Sequence, residues 1–456
     1  MSEAGLAQVR ERMTRADVDP VAIEAFAGAY RRLESGETGV VPESSIEPLS
    51  LARLRPGEVD PDAARRALAR TAMVKLNGGL GTSMGLDRAK SLLTAREGLS
   101  FLDVIARQVL ATRRRYDVRL PVVFMNSFRT SADTAASLAA YPDLAVGDLP
   151  LEILQNKVPK LVAEDLTPVR WPADPALEWC PPGHGDLYAV LHARGLAARL
   201  REEGFTQLFV SNADNLGAVA DPDVAGWFAG SGAPFAIESV RRTASDRKGG
   251  HFARRLSDGR VVLRETAQTR PEDLAALGDL DRHRFCSTNN LWIDLAALGA
   301  ELDSRDGVLD LPIIRNLKTV DPTDRASPPV VQLESAMGAA IELFEEAVSI
   351  EVGRDRFVPV KTTDDLLVLR SDCYRLDEEV RLRQASPALP FVALGAAYRS
   401  IWGFEQRFPH GAPSLAGARS LVVEGDWAFG ADVRVVGSAT LGPEGGRVPA
   451  GTELRG

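Results

Sequence analysis

The chain has little cysteine, little histidine and no long apolar run. Its three cysteines, Cys180, Cys286 and Cys373, are widely spaced over 456 residues and odd in number, so neither a disulfide framework nor a zinc knuckle is indicated. A reducing compartment is the simpler setting. No run of about 18 apolar residues occurs, and the first residues, MSEAGLAQVRERM, lack the apolar segment of a secretory signal. A cytoplasmic protein without a membrane partner is therefore expected. Cationic excess is missing too: 54 Lys+Arg stand against 63 Asp+Glu, a formal net charge of -9, which argues against a general nucleic-acid binder. An acidic protein that handles phosphates must concentrate its cations locally. What remains, 45% hydrophobic and 26% charged, is an ordinary globular composition. The length allows roughly two or three domains and a large core.

The most informative stretch is 72–93, AMVKLNGGLGTSMGLDRAKSLL. Residues 72–76 are an apolar run of strand type, and Asn77-Gly78-Gly79 ends it with residues that tolerate left-handed or close-approach backbone. Gly81 and Gly85 keep side chains away, so successive backbone N–H groups can converge into an anion-binding nest. Lys90 adds a mobile positive charge beyond the loop. Spacing alone leaves three readings open: a phosphate loop, a plain glycine-rich turn, or a nicotinamide or flavin fingerprint. Gly79, Gly81 and Gly85 make GxGxxxG, one residue off the dinucleotide pattern, and Lys90-Ser91 ends like a Walker loop with Ala89 where glycine is required. A dinucleotide site should also have an acidic residue closing a strand about 20 positions on. Glu97 stands near that distance but precedes a helical pattern.

Residues 1–70 are helical in character. Asp19-Pro20 opens a helix whose apolar residues Val21, Ile23, Phe26 and Tyr30 fall largely on one side and which Gly36 stops; Asp60-Pro61 starts a second helix running through Leu68. From Thr71 strands and helices alternate, as in a parallel sheet with crossovers. Helices are expected at 101–115, 129–140 and 187–203, with strands at 120–124, 151–154 and 207–210. Ligands of open α/β sheets lie beyond the carboxyl ends of strands, which makes Asn77, Asn126, Gln155, Ser211, Asn212 and Asp214 candidates. A further strand is expected at 234–242, a hairpin at 252–266 turned at Ser257-Asp258-Gly259, and a helix at 334–347. Beyond about residue 376, short strands at 421–423, 433–436 and 439–441 separated by glycines read as a small β-solenoid or β-roll. Its exposed end offers an edge for pairing with another chain, and so a route to a homo-oligomer. The expected division is 1–70, 71–375 and 376–456.

Other motifs carry candidate chemistry. In EWCPPGHGD, 178–186, two prolines fix the approach, Gly183 and Gly185 clear space around His184, and the following helix points its N-terminal dipole there. This suits a neutral, hydrogen-bonding histidine against an anion or a sugar hydroxyl; a rigid turn with an incidental histidine is the plainer alternative. Asn212-Ala213-Asp214 puts one carboxylate at a strand end, enough for Mg²⁺ only in partnership with substrate phosphates and water. Lys361, after an apolar strand expected at 357–360, reads as a phosphate clamp or a surface lysine. Asp246-Arg247-Lys248-Gly249-Gly250 reads equally as a phosphate contact or a solvated loop. Together, a glycine loop, two lysines, a strand-end Asp and a Gly-His-Gly turn on one α/β scaffold describe a nucleotide site with a metal.

The stretches KLNGGLGTSMG with AKSLL, MNSFRTSADT, EWCPPGHGDLY, FVSNADNLGA, STNNLW, QLESAMGAAIELFE and RFVPVKTTDDLL, in this order over about 72–370, resemble the long, eukaryotic-type UTP–glucose-1-phosphate uridylyltransferases, the UDP-glucose pyrophosphorylases. The resemblance implies a Rossmann-like nucleotidyltransferase α/β fold with N-terminal helices and a C-terminal left-handed β-helix. It implies that UTP, glucose 1-phosphate and Mg²⁺ bind, and that the sugar phosphate attacks the α-phosphorus. It assigns Leu76, Asn77, Gly78 and Gly79 to the uracil and ribose side, and Lys90 to the phosphates and metal region. Gln155 and Gly183 would read the nucleotide; His184, Asn212, Ala213 and Asp214 would reach the sugar phosphate and metal, with Asp214 the metal ligand. Asn290, with Asn289 beside it, would bind the sugar, and Lys361 would be the catalytic cation alongside Lys90. The chain departs from the family at Asn156-Lys157-Val158 after Gln155 and at Cys286-Ser287 before Thr288. A UDP-N-acetylhexosamine or broad UDP-sugar pyrophosphorylase is the alternative within the class.

Overall fold

The computed structural model describes residues 3–456 apart from 38, 56, 82–83, 87, 244–245 and 247–248. The expected phosphate contact at Arg247 and Lys248 thus lies outside the described residues. The glycine-loop strand, Thr71–Asn77, sits inside an 11-stranded mixed sheet. It pairs in parallel with Val122–Asn126 on one side and Gln207–Asn212 on the other, and Val122–Asn126 pairs in parallel with Glu152–Leu154. Beyond Gln207–Asn212 the direction reverses: the long strand Phe285–Asp294 runs antiparallel to it and to Phe235–Arg241, which in turn pairs in parallel with Val348–Glu351. The hairpin His251–Arg255 and Val261–Arg264 joins this far side.

Strand alternation decides which helix covers which face. Met73 packs in the apolar cluster of Phe101, Val104 and Ile105, from the helix Phe101–Tyr116, whereas Ala72 and Val74 pack on the opposite side with Leu191 and Leu200 from Leu187–Ala193 and Leu196–Glu202. A parallel sheet covered on both faces leaves its strand ends as the place where polar groups meet solvent. The helix Phe101–Tyr116 starts on a capping box, Ser100 with Asp103, as a chain leaving a strand end requires.

The C-terminal segment consists of short parallel strands stacked in two sheets. Phe391–Leu394, Ala418–Val423, Arg434–Leu441 and Glu453–Arg455 form one, and Trp427–Phe429 with Gly446–Val448 the other. Strands expected separately at 433–436 and 439–441 are one element. Its core, where Tyr398, Phe404, Phe408 and Phe429 pack on one another, is continuous with the apolar cluster that holds Phe101 and Phe124. Asp372 accepts from the Leu415 and Ala416 amides, and the Leu394 amide donates to Asp364.

Three further local expectations differ from the structure. The helix expected at 334–347 is the end of a strand, Pro329–Ser335, followed by a 3-10 turn, Met337–Glu342. Its apolar spacing is helical, but the strand is held by Ile313–Thr319, and the Ser335 amide donates to the Pro182 carbonyl. The helix expected at 187–203 is two, broken at Gly195, which is left-handed at φ 62. The run 357–360 forms no sheet strand; it touches the rest of the chain through an isolated bridge between Asn215 and Pro359. The helix Glu3–Arg15 lies in the stretch expected to be helical, and its Val9 and Met13 are buried with Ile23 and Phe26 of the next helix, Pro20–Glu34.

Candidate active site

A cavity of about 330 Å³ opens at the carboxyl ends of Thr71–Asn77, Val122–Asn126 and Gln207–Asn212. Leu76, Asn77, Gly78, Gly79, Lys90, Gln155, Gly183, His184, Asn212, Ala213 and Asp214 all line it. The sequence therefore placed eleven candidates on one surface although they span residues 76–214. Met125, Pro181, Ser91 and Glu334 line it as well and were not singled out.

One wall is backbone. The Asn77 side chain turns away from the cavity: its amide donates to Asn126 Oδ1 at 2.7 Å and Thr134 Oγ1 at 2.9 Å, and Asn77 is buried. Asn77 braces the loop and presents its main chain. A Cβ on Gly78 would lie 2.7 Å from Gln155 Oε1, so the glycine permits the close approach of the two strand ends. Gln155 also donates from Nε2 to the Gly183 carbonyl at 2.8 Å, tying this wall to the Gly-His-Gly turn.

Gly183 has φ +82, and a Cβ there would stand 2.5 Å from the Ser335 carbonyl oxygen and 2.7 Å from its nitrogen. Both the left-handed backbone and the space demand glycine. His184 accepts the Met337 amide at Nδ1, 2.9 Å, which leaves the ring hydrogen on Nε2. Desolvation, with help from the Lys361 charge, pushes its pKa down to about 4. The ring is a neutral hydrogen-bonding group at ordinary pH, as the turn's composition implied.

The opposite wall carries charge. Lys90 Nζ donates to Asp214 Oδ2 at 2.9 Å and to the Val360 carbonyl, so one cation spans the Asp214 turn and the segment leading to Lys361. Lys361 itself is exposed and outside the cavity lining, with its backbone amide fixed by Asp365 at 2.8 Å. Its charge nonetheless reaches both His184, where it adds to the lowering by desolvation, and Glu265, where it opposes the rise. Glu265 is a group the sequence did not flag: burial raises its carboxyl above the ordinary range despite that lysine. Gly250 lies against it, a Cβ there standing 2.5 Å from Glu265 Oε2.

The paired asparagines separate. Asn290 is wholly buried and donates from Nδ2 to Glu238 Oε2 at 3.0 Å, away from the cavity lining. Asn289, at φ 60, instead reaches Asn212 Oδ1 at 3.4 Å, so it is the better placed of the two for a ligand. The departures after Gln155 are accounted for locally: Asn156 holds buried Asp186 through its amide at 2.7 Å, and Lys157 Nζ lies 5.0 Å from the Trp179 ring centroid.

Among the described residues no group of three or more His, Cys, Asp or Glu could hold a metal. Two carboxylates line the cavity, Asp214 and Glu334, and Asp214 is the one paired with Lys90. One carboxylate plus phosphate and water oxygens suits Mg²⁺, so the donor set fits that ion only with a phosphorylated ligand in place. Ser91 Oγ, buried at the cavity wall with no hydrogen-bond partner among the described residues, is a further oxygen there.

A glycine-loop strand, a strand-end carboxylate and the lysine paired with it, at the carboxyl ends of the parallel strands of a mixed sheet, define a nucleotide-binding α/β protein of the nucleotidyltransferase type. The model of the UTP–glucose-1-phosphate uridylyltransferase family matches residues 23–435, and the chain belongs to that family. Among relatives, the UTP–glucose-1-phosphate uridylyltransferase of Hordeum vulgare is 34% identical over 442 residues, covering 94% of this chain and 91% of that one. The Saccharomyces cerevisiae enzyme of the same name is 37% identical over 378 residues, covering 82% and 74%. A UDP-glucose pyrophosphorylase mutant from Leishmania major, solved in complex with UDP-glucose, is 40% identical with a TM-score of 0.94, covering 100% of this chain and 99% of that one.

Proposed function

We infer that the protein catalyses reversible formation of UDP-glucose and pyrophosphate from UTP and glucose 1-phosphate. The observation that carries this is the meeting of the glycine loop, His184, Lys90 and Asp214 around one cavity, in a chain that is a family member over most of its length. The L. major relative bound to UDP-glucose supports glucose as the sugar.

The reaction is an in-line displacement: an oxygen of the sugar 1-phosphate forms a bond to the α-phosphorus of UTP as the bond to pyrophosphate breaks. No covalent enzyme intermediate is needed, so the work of the site is positioning and charge stabilisation. Leu76, Gly78, Gly79, Gln155 and Gly183 supply main-chain and amide groups for the uracil and ribose, with Asn77 bracing them. Neutral His184 donates from Nε2 to the sugar phosphate. Asn212 and Asn289 face the sugar, with Asn290 supporting the latter from behind. Lys90 and Lys361 stabilise the phosphate charge. Magnesium, held by Asp214 and phosphate oxygens, would add charge neutralisation there. Before substrates bind, Lys90 neutralises Asp214 and keeps the carboxylate in position.

We also read the C-terminal strands as a left-handed β-helix whose edge offers a surface for self-association. Three buried free thiols are consistent with a reducing, cytoplasmic setting. The test of the activity is to incubate the protein with Mg²⁺, UTP and a panel of sugar 1-phosphates and to identify the nucleotide sugar and pyrophosphate. Glucose 1-phosphate should be the preferred acceptor; turnover with N-acetylhexosamine 1-phosphate and none with glucose 1-phosphate would replace this reading.

A further inference from the structure

The two charged groups that must cooperate in the reaction, Asp214 and Lys361, sit on segments that are remote in sequence and belong to no common strand pair. Besides the Lys90 ammonium, which bonds both segments, what fixes one against the other is a buried side-chain amide, that of Asn215, which is 1% exposed. Its Oδ1 accepts from the Val358 amide at 2.9 Å and from the Gly217 amide at 3.2 Å. Its Nδ2 donates to the Arg356 carbonyl at 3.1 Å and, more weakly, to Asn290 Oδ1 at 3.4 Å. The side chain thus takes up the hydrogen bonds of its own turn and of the 356–358 main chain together. Around it the two segments run as a short ladder: Asn215 bridges Pro359, and the Val360 amide donates to the Asp214 carbonyl at 3.1 Å. Gly217 permits the approach, since a Cβ there would lie 2.8 Å from the Arg356 carbonyl carbon.

The far end of the ladder is anchored as firmly. Arg356 makes a two-pronged ion pair with Glu238, Nε to Oε2 at 2.7 Å and Nη2 to Oε1 at 2.5 Å. Glu238 is wholly buried and also accepts from Asn290 and Trp292. Buried ion pairs of this kind are poor sources of stability but good determinants of a unique arrangement. Residues 356–360 therefore have one register against the Asp214 turn, and Lys361 leaves that ladder as the next residue.

We propose that Asn215 is a positioning residue for the transfer reaction: its side chain sets the register of the segment bearing Lys361 against the turn bearing Asp214. Asn215 is buried outside the cavity lining and acts through Lys361. The proposal rests on the reading of Lys361 as the cation that stabilises the transferring phosphate.

The test is a double-mutant cycle in kcat. A misplacement of about 1 Å can cost about 100-fold in rate, so Asn215→Ala and the isosteric Asn215→Asp should each lower kcat about 10- to 100-fold. The Kd for UTP, whose contacts lie on the other wall, should change less than about threefold, the near-neutral outcome for a substitution away from the binding contacts. In a Lys361→Ala background the same substitutions should cost less than about threefold, because residues acting as a unit are non-additive. Faster hydrogen exchange at the Val358 and Val360 amides in both Asn215 variants should accompany the loss. An equal loss in both backgrounds would show that Asn215 acts independently of Lys361 and would overturn the proposal. Failure of both variants to fold would make it a folding residue only and overturn it too. A Lys361→Ala enzyme with undiminished kcat would instead refute the assignment of Lys361, whatever the Asn215 variants do.

Discussion

Replacing Lys361 by alanine separates catalysis from binding and from stability at one position. The side chain is exposed, and among the described residues it makes no hydrogen bond or ion pair; the backbone amide, not the ammonium, is what Asp365 holds. Its removal should therefore cost no more than about 0.5 kcal/mol of folding stability, as surface substitutions do. The charge nonetheless acts on the cavity, since it adds to the desolvation that lowers the His184 pKa and opposes the rise that burial imposes on Glu265. In the transition state negative charge gathers on the α-phosphate and the departing pyrophosphate, and one preorganised donor aimed there contributes about 100- to 1,000-fold in kcat, about 2.7 to 4 kcal/mol. Lys361→Ala should show a fall of that size in kcat, with UTP affinity much less affected. Lys361→Arg should recover only part of it, because a planar fork does not replace a compact point charge. The assay is steady-state kinetics on both substrates, with direct UTP titration and a thermal melt on the same preparations. A second readout is the His184 ring, whose pKa should rise from about 4 in the alanine variant when followed by NMR. An unchanged kcat with a raised KM for UTP would refute the reasoning. Lys361 would then be a uniform binding contact, and Lys90 the better catalytic cation.

Gly183→Ala forces a Cβ 2.5 Å from the Ser335 carbonyl oxygen at φ +82, so it should lose about 1 to 3 kcal/mol of stability and weaken UTP binding, measured by urea unfolding and calorimetric titration. Asp364, whose carboxyl burial pushes up to about 6, has stability present below its ordinary pKa of 3.8 that is lost as pH rises through about 6. Asp364→Asn, which keeps an acceptor for the Leu394 amide, should thus stabilise by on the order of 1 kcal/mol at pH 8 and not at pH 4, the partial solvation of the group reducing the full effect. Thermal melts across that range would show the sign. Removing 376–456 should destabilise the whole chain rather than release an independent module, because Phe404, Phe408 and Leu421 share the core of Phe101; a truncated chain with an unchanged melting temperature would contradict the shared core. Excess chelator should abolish turnover, since Asp214 is too little to retain the metal without phosphates; undiminished activity would remove the metal from the account.

The glycine-loop strand and its neighbours were legible because local composition and tertiary position agree: a β-rich apolar run, a glycine stop, then a polar residue at the strand end. Asn212, Asp214 and Gln155 follow that rule and line the cavity, while Gly183 and His184, which line it too, stood out through the prolines and glycines of their turn. The misassigned helix at 334–347 shows where it fails. Leu333, Met337, Ala340 and Ile341 have helical spacing, but pairing with Ile313–Thr319 and the contact of Met337 with His184 override it. Asn289 and Asn290 could not be separated by pattern, because adjacent residues on a strand face opposite ways and the register shift opposite, between Ile237 and Ser239, decides which one points where. Glu238, Arg356 and Asn215 were invisible for a different reason. A buried carboxylate and a buried guanidinium look like surface charge until the fold brings positions 238 and 356 together.

The most direct test of the account follows the oxygen atoms. Glucose 1-phosphate labelled with ¹⁸O in its terminal phosphate oxygens is incubated with UTP, Mg²⁺ and the protein, and both products are analysed by mass spectrometry and ³¹P NMR. Attack by the sugar phosphate on the α-phosphorus places all of the label in UDP-glucose, one atom of it at the bridge between the two phosphorus atoms, and none in pyrophosphate. Label in pyrophosphate, or no UDP-glucose at all, would contradict the account.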